Sequence, residues 1–549
     1  MSPGLLKVLF QPHRLEAEVP AGTTVLEAAR RAGIALAAPC GGAGTCGACR
    51  VRLVSGRLAP PTPEEMGLLG LREREAGFRL ACRAALLEES VLFLPPESLS
   101  APQRARVEIL PALGGGLPPR PGRGLGAALD MGTTGLAAYL ADLSTGRSLA
   151  AGGAPNPQAA LGEDVISRIR IAANDPAAAG ELRELLRRAL SALLRDLLER
   201  TGRDARELEV IVAVGNPAMT HLFLGLPTGS LGTAPYEPAS KEPFRGPAAA
   251  CGLPAGPDTI LRIPPAVAGF VGADHLAMLL ASGIHRSRAP AVGMDIGTNT
   301  EVAVVKEGVL WCCSTASGPA FEGARIRCGM RAAPGALERI QFRERVLSFS
   351  TVEDLPPLGI CGSGVLDALA GLLREGYLET SGRFSPKEDL RLGRGPAGPA
   401  FQLVPPAMTG HGRPLFLARR DIQEIQMAKG AVRAGLDVLL EEAGLEEEEI
   451  GTFHLAGAFG TYLDVSSAVA AGMTPPLPLD RFRQIGNAAG AGALAMLDEE
   501  VWEEALDLAR RIRYVELAGT ERFTRAFTER ILLPAADLHE STGFPPGGA

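Results

Sequence analysis

Apolar and polar residues alternate along the first part of the chain in a way that predicts short strands. After the second of these stretches, residues 24–32 place apolar side chains at helical spacing, and Gly33 ends the helix. A domain built from these elements closes near residue 95. The stretches with strand-like alternation are residues 5–10, 14–19, 51–54 and 91–94.

The apolar periodicity stops after residue 95, where proline and glycine become frequent. Prolines follow one another at residues 95–96 and 118–119, and residues 114–116 are all glycine. This composition predicts a semi-extended linker with glycine hinges over residues 96–124, so that the domain 1–95 is tethered to the rest of the chain. Residues 538–549 have a similar composition and predict a flexible tail.

A pattern of strand, tight Gly-Thr turn and strand occurs twice in the rest of the chain. The first copy covers residues 125–140 and the second covers residues 291–305. Two copies predict two related half-domains, which we divide into a middle domain, residues 125–207, and a C-terminal domain, residues 208–537. Helices are predicted over residues 181–200, 366–373 and 421–442, and buried strands over residues 208–214 and 452–455.

Four cysteines in the first domain have the spacing of an iron–sulfur site. Cys40, Cys46 and Cys49 form a C-x5-C-x2-C pattern, and Cys82 follows a few tens of residues later. This differs by one residue from the plant-type spacing for a [2Fe-2S] cluster and matches the adrenodoxin-like branch. Strand, strand, helix and cluster loop is the order of a ferredoxin β-grasp domain. The glycines expected to let the loop wrap the cluster are Gly41, Gly42, Gly44 and Gly47.

A structural zinc ion and a disulfide are the competing interpretations of these cysteines. Structural zinc sites usually have two tight C-x2-C or C-x2-H pairs, and this loop has only one. The other five cysteines are scattered and no secretory signal precedes them, which disfavours disulfides. The adjacent Cys312 and Cys313 are expected to be thiols in a protein core.

Composition excludes several classes of function. The chain has 549 residues, of which 46% are hydrophobic and 21% charged, so it has room for large cores. Its net charge is −7 and the two signs are mixed along the sequence, which argues against nucleic-acid binding. No apolar run is long enough to span a bilayer, so we expect no membrane association and a cytoplasmic location.

The two Gly-Thr turns have the residues of a phosphate site. In each, a glycine lets the backbone approach a phosphate, hydroxyl and N–H groups donate to it, and an aspartate can hold Mg²⁺. Of two further glycine turns, residues 359–365 open a predicted helix, where phosphate could meet a helix N-terminus, and residues 455–460 follow a predicted strand and suit a close backbone approach to a nucleoside. The candidate cofactor-binding residues are Asp130, Gly132, Thr133, Thr134, Gly297, Thr298, Asn299, Gly362, Ser363, Gly364, Gly457 and Gly460.

These turns belong to neither of the commonest nucleotide-binding patterns. The Walker A lysine motif is absent, and no G-x-G-x-x-G follows a strand in a dinucleotide-binding context. Strand, turn and strand in two lobes is instead the arrangement of the acetate kinase, sugar kinase, Hsp70 and actin superfamily, in which ATP lies between the lobes. We therefore expect an ATP cleft. Lys429, on a small-residue face of the predicted helix 421–442, either reaches the nucleotide or is solvated.

Nearly the whole chain resembles a known family, the ATP-dependent reductive activators of corrinoid proteins. Members carry an N-terminal [2Fe-2S] domain, a linker, a middle domain and a C-terminal actin-like ATPase domain. The segments that carry the resemblance are residues 40–49 with Cys82, 130–134, 215–221, 295–299, 316–324, 421–429 and 455–460.

The resemblance implies an activity and a set of roles. The activity is one-electron reduction of Co(II) to Co(I) in a corrinoid protein or corrinoid methyltransferase, powered by ATP with Mg²⁺ and supplied by an unidentified low-potential donor. Asp295 is expected to position Mg²⁺, and Glu301 and Glu322 are the candidates for orienting the attacking water. Asp130 either shares the cation site or serves a structural turn. The family also implies a homodimer formed through the ATPase domain.

Two other functions remain compatible with the sequence. The first is an ATP-gated electron donor to a different low-potential acceptor enzyme, although activators of that kind hold their cluster between subunits. The second is a non-catalytic module that binds a corrinoid protein and senses redox state through the cluster. The intact aspartates and threonines of the phosphate turns argue against the second.

Overall fold

The computed structural model describes residues 5–11, 15–32, 34, 36, 42, 44, 47, 49–95, 98, 117–162, 164–343, 346–395 and 398–535. The chain divides into two compact units. One contains residues 1–102 and 157–178, and the other contains residues 103–156 and 179–549. None of the described helices is both long and apolar enough to cross a membrane.

The N-terminal domain is a five-stranded mixed sheet with three short helices. The strand order is β2-β1-β5-β3-β4, in which β1 pairs in parallel with β5 and the other pairs are antiparallel. Val8, Phe10 and Val19 are fully buried on the inner face of the sheet. The elements are β1 (Leu5–Gln11), β2 (Leu15–Pro20), α1 (Val25–Arg31), β3 (Arg50–Ser55), α2 (Pro63–Leu68), α3 (Leu71–Glu75), β4 (Phe78–Leu80) and β5 (Ser90–Phe93).

The sequence-based elements of this domain are confirmed to within two residues at each end. The helix begins after Thr24, whose side chain accepts a hydrogen bond from the N–H of Glu27 and so caps the first turn. Helices α2 and α3 and strand β4 were not predicted, because each is only three to six residues long. The capping box of Thr62 and Glu65 was the available signal for α2.

The middle part of the chain forms a six-stranded sheet of order β10-β11-β9-β6-β7-β8. Strands β6, β7 and β8 are antiparallel neighbours, and β9 and β11 extend the sheet in parallel on the other side of β6. The elements are β6 (Leu125–Met131), β7 (Gly135–Asp142), β8 (Arg147–Pro155), α4 (Val165–Asn174), α5 (Pro176–Thr201), β9 (Leu208–Val214), α6 (Pro217–Leu224), β10 (Phe244–Pro247), β11 (Ile260–Ile263) and α7 (Ala273–Ser282).

The C-terminal part forms a second six-stranded sheet, of order β22-β21-β12-β13-β14-β23, and two smaller three-stranded sheets. The elements are β12 (Ala291–Ile296), β13 (Thr300–Lys306), β14 (Val309–Thr315), β15 (Ala336–Arg343), β16 (Val346–Thr351), β17 (Gly359–Ile360), α8 (Gly362–Arg374), β18 (Leu392–Gly395), β19 (Gly398–Val404), β20 (Leu415–Ala418), α9 (Arg419–Ala443), β21 (Thr452–Ala456), α10 (Gly457–Tyr462), α11 (Val465–Ala470), β22 (Phe482–Gln484), α12 (Ala488–Ala495), α13 (Glu499–Arg511), β23 (Arg513–Tyr514) and α14 (Glu521–Arg530).

The two large sheets share one topology, which confirms the predicted pair of related half-domains. The order β8-β7-β6-β9-β11 in the first corresponds to β14-β13-β12-β21-β22 in the second. In both, a three-stranded antiparallel meander is extended by two later parallel strands. Strands β6 and β12, which carry Asp130 and Asp295, are therefore equivalent.

The strand pairing differs from the sequence-based division at residues 207 and 208. Strand β9, which begins at Leu208, pairs with β6 from Gly126 to Asp130 and lies in the same sheet. The division therefore falls inside the sheet of the first half-domain. A buried strand was expected at this position, but its partner could not be read from a pattern of local periodicity.

The end of the expected linker is packed rather than extended. Most of residues 96–124 lie outside the described residues, but Leu117 is buried and its N–H donates to Gly146 O at 3.0 Å. The Arg120 guanidinium donates to the buried Asp498 carboxylate at 2.6 Å. The chain is thus anchored to the second unit several residues before β6 begins.

Lys429 is neither solvated nor directed at the phosphate turns. Only 1% of the residue is exposed, and its ammonium donates to the carbonyl of Leu532. Burial, followed by the nearby Arg433 and Arg530, lowers the pKa of Lys429 to about 7. The side chain ties α9 to the segment after α14, as does Gln426, which donates to Ile531 O at 3.0 Å.

Replacing this lysine is expected to change how stability depends on pH. Between the folded pKa of about 7 and the ordinary value of 10.5, the unfolded chain holds a proton that the folded protein lacks. The free energy of unfolding should therefore rise with pH in this window, by up to about 1.4 kcal/mol per pH unit. Lys429→Met should remove this contribution, as measured by denaturant unfolding at pH 7, 8 and 9. Equal slopes for the variant and the parent protein would contradict this account of Lys429.

Candidate functional site

Two of the four expected cluster ligands lie side by side in the N-terminal domain. Cys49 and Cys82 are both buried, and the N–H of Ala81 donates to Cys49 O at 2.8 Å. The other two, Cys40 and Cys46, and the neighbouring Gly41 lie outside the described residues.

The described glycines of the loop have the backbone that was expected for wrapping a cluster. Gly42, Gly44 and Gly47 adopt φ values of +90°, +75° and +69°. A Cβ atom at Gly42 would lie 4.0 Å from the Cβ of Cys82, so the loop passes next to this ligand. Thiols converging on a glycine loop with left-handed backbone fit a [2Fe-2S] cluster, which supplies one-electron chemistry when bound.

A buried ion pair holds the strand that leads to Cys82. Glu65 is fully buried, and its Oε1 and Oε2 atoms accept from Nε and Nη2 of Arg79, both at 2.9 Å. The same carboxylate accepts from the N–H groups of Leu80 and Thr62, both at 3.0 Å. Burial raises the pKa of Glu65 and these donors lower it, with a net shift below the ordinary value. The strand is therefore fixed two residues before the ligand.

In the second unit, the two Gly-Thr turns lie at the ends of equivalent strands and face each other. Asp130 is the second-last residue of β6, and Asp295 is the second-last residue of β12. A single carboxylate connects the turns, because Thr134 Oγ1 donates to Glu322 Oε2 at 2.9 Å and Thr298 Oγ1 donates to Glu322 Oε1. The structure thus brings Asp130, Thr134, Asp295, Thr298 and Glu322 into one cleft.

Burial raises the pKa of four carboxylates near these turns, and for three of them neighbouring carboxylates raise it further. Burial raises the pKa of Asp130 to about 6, against a hydrogen bond from Asn487 that lowers it. Burial and the charge of Asp130 raise the pKa of Asp295 to about 7. Burial, then Asp295 and Asp130, raise the pKa of Asp274, again to about 7. Burial, then Asp274 and Asp295, raise the pKa of Glu301 well above its ordinary value.

Among the described residues, no group of three or more His, Cys, Asp or Glu side chains is placed to hold a metal ion, so these carboxylates offer Mg²⁺ one or two ligands, beside which the phosphates of a nucleotide would supply others. Proximity of like charges in a half-buried cleft is unfavourable for the ionised forms, and a hard cation with oxygen ligands relieves it. Asp274 was not among the residues singled out in the sequence. It lies in the first turn of α7, and the N–H of Ala273 at the start of that helix donates to Gly215 O at 3.1 Å.

Three asparagines that were not among the candidate site residues hold the first turn, although Asn216 lies in a segment that carries the family resemblance. Asn487 Nδ2 donates to Asp130 Oδ2 at 2.9 Å, while its Oδ1 caps α12 by accepting from Gly490 N–H. Asn216 Nδ2 donates to Thr133 Oγ1 at 3.0 Å. Asn156 Nδ2 donates to Gly132 O at 2.9 Å. Each is a polar residue at a helix start or strand end, but its partner is distant in the sequence.

The other two glycine turns lie inside helices rather than before them. Gly362, Ser363 and Gly364 form the first turn of the 13-residue helix α8, and Gly457 and Gly460 belong to α10. A Cβ at Gly457 would lie 2.6 Å from Asp295 Oδ1, so this backbone packs directly on the cleft aspartate. A Cβ at Gly362 would lie 1.7 Å from Phe321 O, so α8 packs on the segment that carries Glu322.

The two candidates for orienting water have different surroundings. Glu301 lies on β13 among the aspartates and accepts from Ser314 Oγ at 2.9 Å. Glu322, by contrast, is bound to the hydroxyls of both turns. Asn299 and Gly297 lie in the second turn, where Gly297 N–H donates to Asn299 O at 3.1 Å.

Removing the charge of Glu65 is expected to destabilise the iron–sulfur domain. Glu65→Gln leaves the Arg79 guanidinium, 11% exposed, without its carboxylate, at a cost of about 3–5 kcal/mol. The visible absorbance of the reconstituted protein should then be lost at lower urea concentrations than in the parent protein. Glu75→Gln, at an exposed position of the same domain, is the matched control. Equal loss in both variants would mean that the buried pair does not hold the ligand strand.

Comparisons with known proteins agree with this architecture. Residues 9–87 match the model of the 2Fe-2S iron-sulfur cluster binding domain. Residues 125–287 match the RACo middle region, and residues 290–543 match the C-terminal domain of RACo, the ASKHA domain. The two matched regions meet between α7 and β12, which is where the structure separates the two large sheets.

Individual proteins resemble the chain over most of its length. The corrinoid activation enzyme RamQ of Eubacterium limosum is 33% identical over 411 residues, which cover 73% of this chain and 69% of RamQ. The [Co(II) methylated amine-specific corrinoid protein] reductase of Methanosarcina barkeri is 26% identical over 469 residues, which cover 77% of this chain and 81% of the reductase. The solved structure of the reductive activator for corrinoid,iron-sulfur protein is 29% identical to this chain and superposes on it with a TM-score of 0.69. The superposition covers 97% of this chain and 99% of the activator chain.

The iron–sulfur domain at the N-terminus, the paired ATPase half-domains and these matches have one common explanation. The chain belongs to the family of reductive activators of corrinoid proteins.

Proposed function

We propose that this protein reduces the cobalt of a corrinoid protein from Co(II) to Co(I), passing one electron through its [2Fe-2S] cluster at the expense of ATP. The observation that carries the proposal is the presence in one chain of a ferredoxin-type domain and a two-lobed ATPase cleft. The activities for which RamQ and the corrinoid protein reductase are named support it.

ATP is needed because the electron transfer is uphill. A plant-type [2Fe-2S] cluster has a reduction potential of about −400 mV. Co(II) in a resting corrinoid protein is harder to reduce than this. Binding or hydrolysis of ATP supplies the difference by favouring a state of the complex in which cobalt accepts the electron, which requires that nucleotide bind that state more tightly.

Different residues of the cleft bind the cation, the phosphates and the nucleoside of Mg-ATP. Asp295 and Asp130 hold Mg²⁺, which neutralises phosphate charge when bound, and Asp274 adds to the same negative potential. Phosphates bind to the backbone and hydroxyl groups of the two Gly-Thr turns and to the first helical turn of α8. The nucleoside lies against the backbone of α10. Glu301 is better placed than Glu322 to orient the attacking water, because it lies among the aspartates rather than on the turn hydroxyls.

The proposal also covers the electron donor, the oligomeric state and the cellular location. An unidentified low-potential donor reduces the cluster, and the protein acts as a homodimer through its ATPase domain. The reaction takes place in the cytoplasm, because the five cysteines described in the second unit are outside any disulfide, as is usual in a reducing compartment.

The assay is the absorbance of Co(I) in corrinoid proteins held as Co(II) under anaerobic conditions. Each is mixed with this protein and a chemical reductant, with and without Mg-ATP. Suitable acceptors are a corrinoid iron–sulfur protein and the corrinoid proteins of methylamine and methoxyl-group methyltransferase systems. We expect Co(I) with at least one acceptor, and only when ATP is present. ATP hydrolysis and cluster reduction without Co(I) from any of them would favour a different electron acceptor.

Asp295→Ala should separate the ATPase from the cluster. Loss of the carboxylate removes a ligand for Mg²⁺, so ATP hydrolysis and ATP-dependent Co(I) formation should fall by about 100-fold or more. The visible spectrum of the cluster should not change. Asp480→Ala, at an exposed position outside the cleft, is the control. If Asp295→Ala also loses the cluster spectrum, Asp295 has a role in folding instead.

Cys82→Ser should have the converse effect. The cluster loses a thiolate ligand, so the visible absorbance and all Co(I) formation should be lost, while ATP hydrolysis by the second unit continues within about twofold. Cys251→Ser, at a buried cysteine of the second unit, is the control for substitution of a thiol. Continued Co(I) formation by Cys82→Ser would exclude the cluster as the electron carrier.

A further inference from the structure

The carboxylate of Glu322 accepts a hydrogen bond from a threonine hydroxyl in each of the two Gly-Thr turns. Thr134 belongs to the turn of the first half-domain and Thr298 to the turn of the second, and both donate to Glu322. Each hydroxyl has one proton to donate. While both protons point at Glu322, neither threonine can donate to a phosphate oxygen.

The segment that carries Glu322 is short and lies between two glycines with left-handed backbone. Pro319–Glu322 forms one 3-10 turn, with Gly318 at φ +74° before it and Gly323 at φ +79° after it. Glycine adopts such angles without steric cost, but Gly323 packs closely, since a Cβ there would lie 2.3 Å from Met330 O, so Gly318 is the end about which the turn can move. A Cβ at Gly318 would meet nothing within 4 Å, which leaves that end sterically open.

The same segment contacts the Thr298 turn and the helices α8 and α10. Gly318 N–H donates to Thr298 O at 3.0 Å. The ring of Phe321 stacks on that of Phe459 in α10, with centroids 4.9 Å apart. The carbonyl of Phe321 lies against Gly362 in α8. A displacement of Glu322 therefore changes the contacts of this segment with the Thr298 turn, α8 and α10.

A carboxylate and a phosphate group compete for the same donors. Both are anions that bind hydroxyl groups through charge-assisted hydrogen bonds. Two anions at one pair of hydroxyls repel each other, so the terminal phosphate of a nucleotide can occupy the turns only after Glu322 has moved away.

We propose that Glu322 is a latch that joins the two half-domains in the nucleotide-free protein by occupying the phosphate position, and that Mg-ATP binds by displacing it. The inference rests on the proposed function, since it takes the two turns as the phosphate site. Glu322 is thus a positioning residue. The latched state binds nucleotide poorly, so the apparent affinity is reduced by the fraction of molecules that are latched.

If Glu322 is such a latch, substitutions that weaken its hydrogen bonds to Thr134 and Thr298 should tighten nucleotide binding. Glu322→Gln loses the charge and one of the two acceptors, so the affinity for Mg²⁺ with adenylyl imidodiphosphate should rise about tenfold by isothermal titration calorimetry. Adenosine, which has no phosphate, should bind the variant and the parent protein equally. Unchanged or weaker binding of the nucleotide analogue would overturn the latch.

Two matched variants separate the latch from a simple change of charge. Glu322→Asp keeps the charge but is one methylene too short to reach both hydroxyls, so it should also tighten binding, even if Glu322→Gln does not fold. Glu301→Gln removes a carboxylate of the same cleft that does not bind the turn hydroxyls, and should not tighten binding. Equal tightening by Glu301→Gln and Glu322→Gln, with none by Glu322→Asp, would mean that net charge alone is responsible.

Thermal unfolding provides a second and independent readout. The latch stabilises only the nucleotide-free state, so Glu322→Gln should lower the melting temperature without nucleotide, and saturating nucleotide should close the gap. A difference in melting temperature that persists with nucleotide would indicate a merely structural role.

None of these experiments uses a corrinoid protein, so loss of the latch and loss of the proposed electron transfer are distinguishable. Absence of nucleotide binding by the parent protein would overturn both.

Discussion

The burial of several carboxylates in one cleft, with the repulsion that their proximity adds, is the constraint on which the second unit depends. Asp130 and Asp295 end equivalent strands of two similar sheets, and Asp274 and Glu301 lie near them. Burial raises the pKa of all four groups, and neighbouring carboxylates raise the pKa of Asp274, Asp295 and Glu301 further. The fold tolerates this arrangement because surrounding contacts hold it, and Mg²⁺ with ATP would relieve it.

The contacts that oppose the repulsion come from both half-domains. Helix α12 follows Asn487, which binds Asp130, and packs so closely on α7 that a Cβ at Gly492 would lie 2.0 Å from Ala277 O. Beyond its C-terminal end, Asp498 binds Arg120 in the segment that leads into β6. One short helix thus connects the residue that binds Asp130 to the residue that binds Arg120.

Local patterns predicted much of this architecture, and long-range pairing accounts for what they missed. The cysteine spacing indicated the first domain because three of the four expected cluster ligands lie in one short loop, and the repeated strand-turn-strand pattern indicated the two half-domains. Asn487 and Asp130 are 357 residues apart, and no periodicity links them. The pairing of β9 with β6 was missed for the same reason. Glu322 was identified as a carboxylate near the site, but its bonds to both turns depend on how the two halves meet.

The central claim is that ATP in the cleft drives an electron from the cluster to cobalt, and a single-turnover experiment tests it most directly. The cluster is reduced first, excess reductant is removed, and the protein is mixed anaerobically with a Co(II) corrinoid protein before Mg-ATP is added. The account predicts that reoxidation of the cluster and appearance of Co(I) begin together on addition of ATP, with one Co(I) formed for each cluster oxidised. Hydrolysis of ATP while the cluster stays reduced, or Co(I) formed at the same rate without ATP, would contradict it.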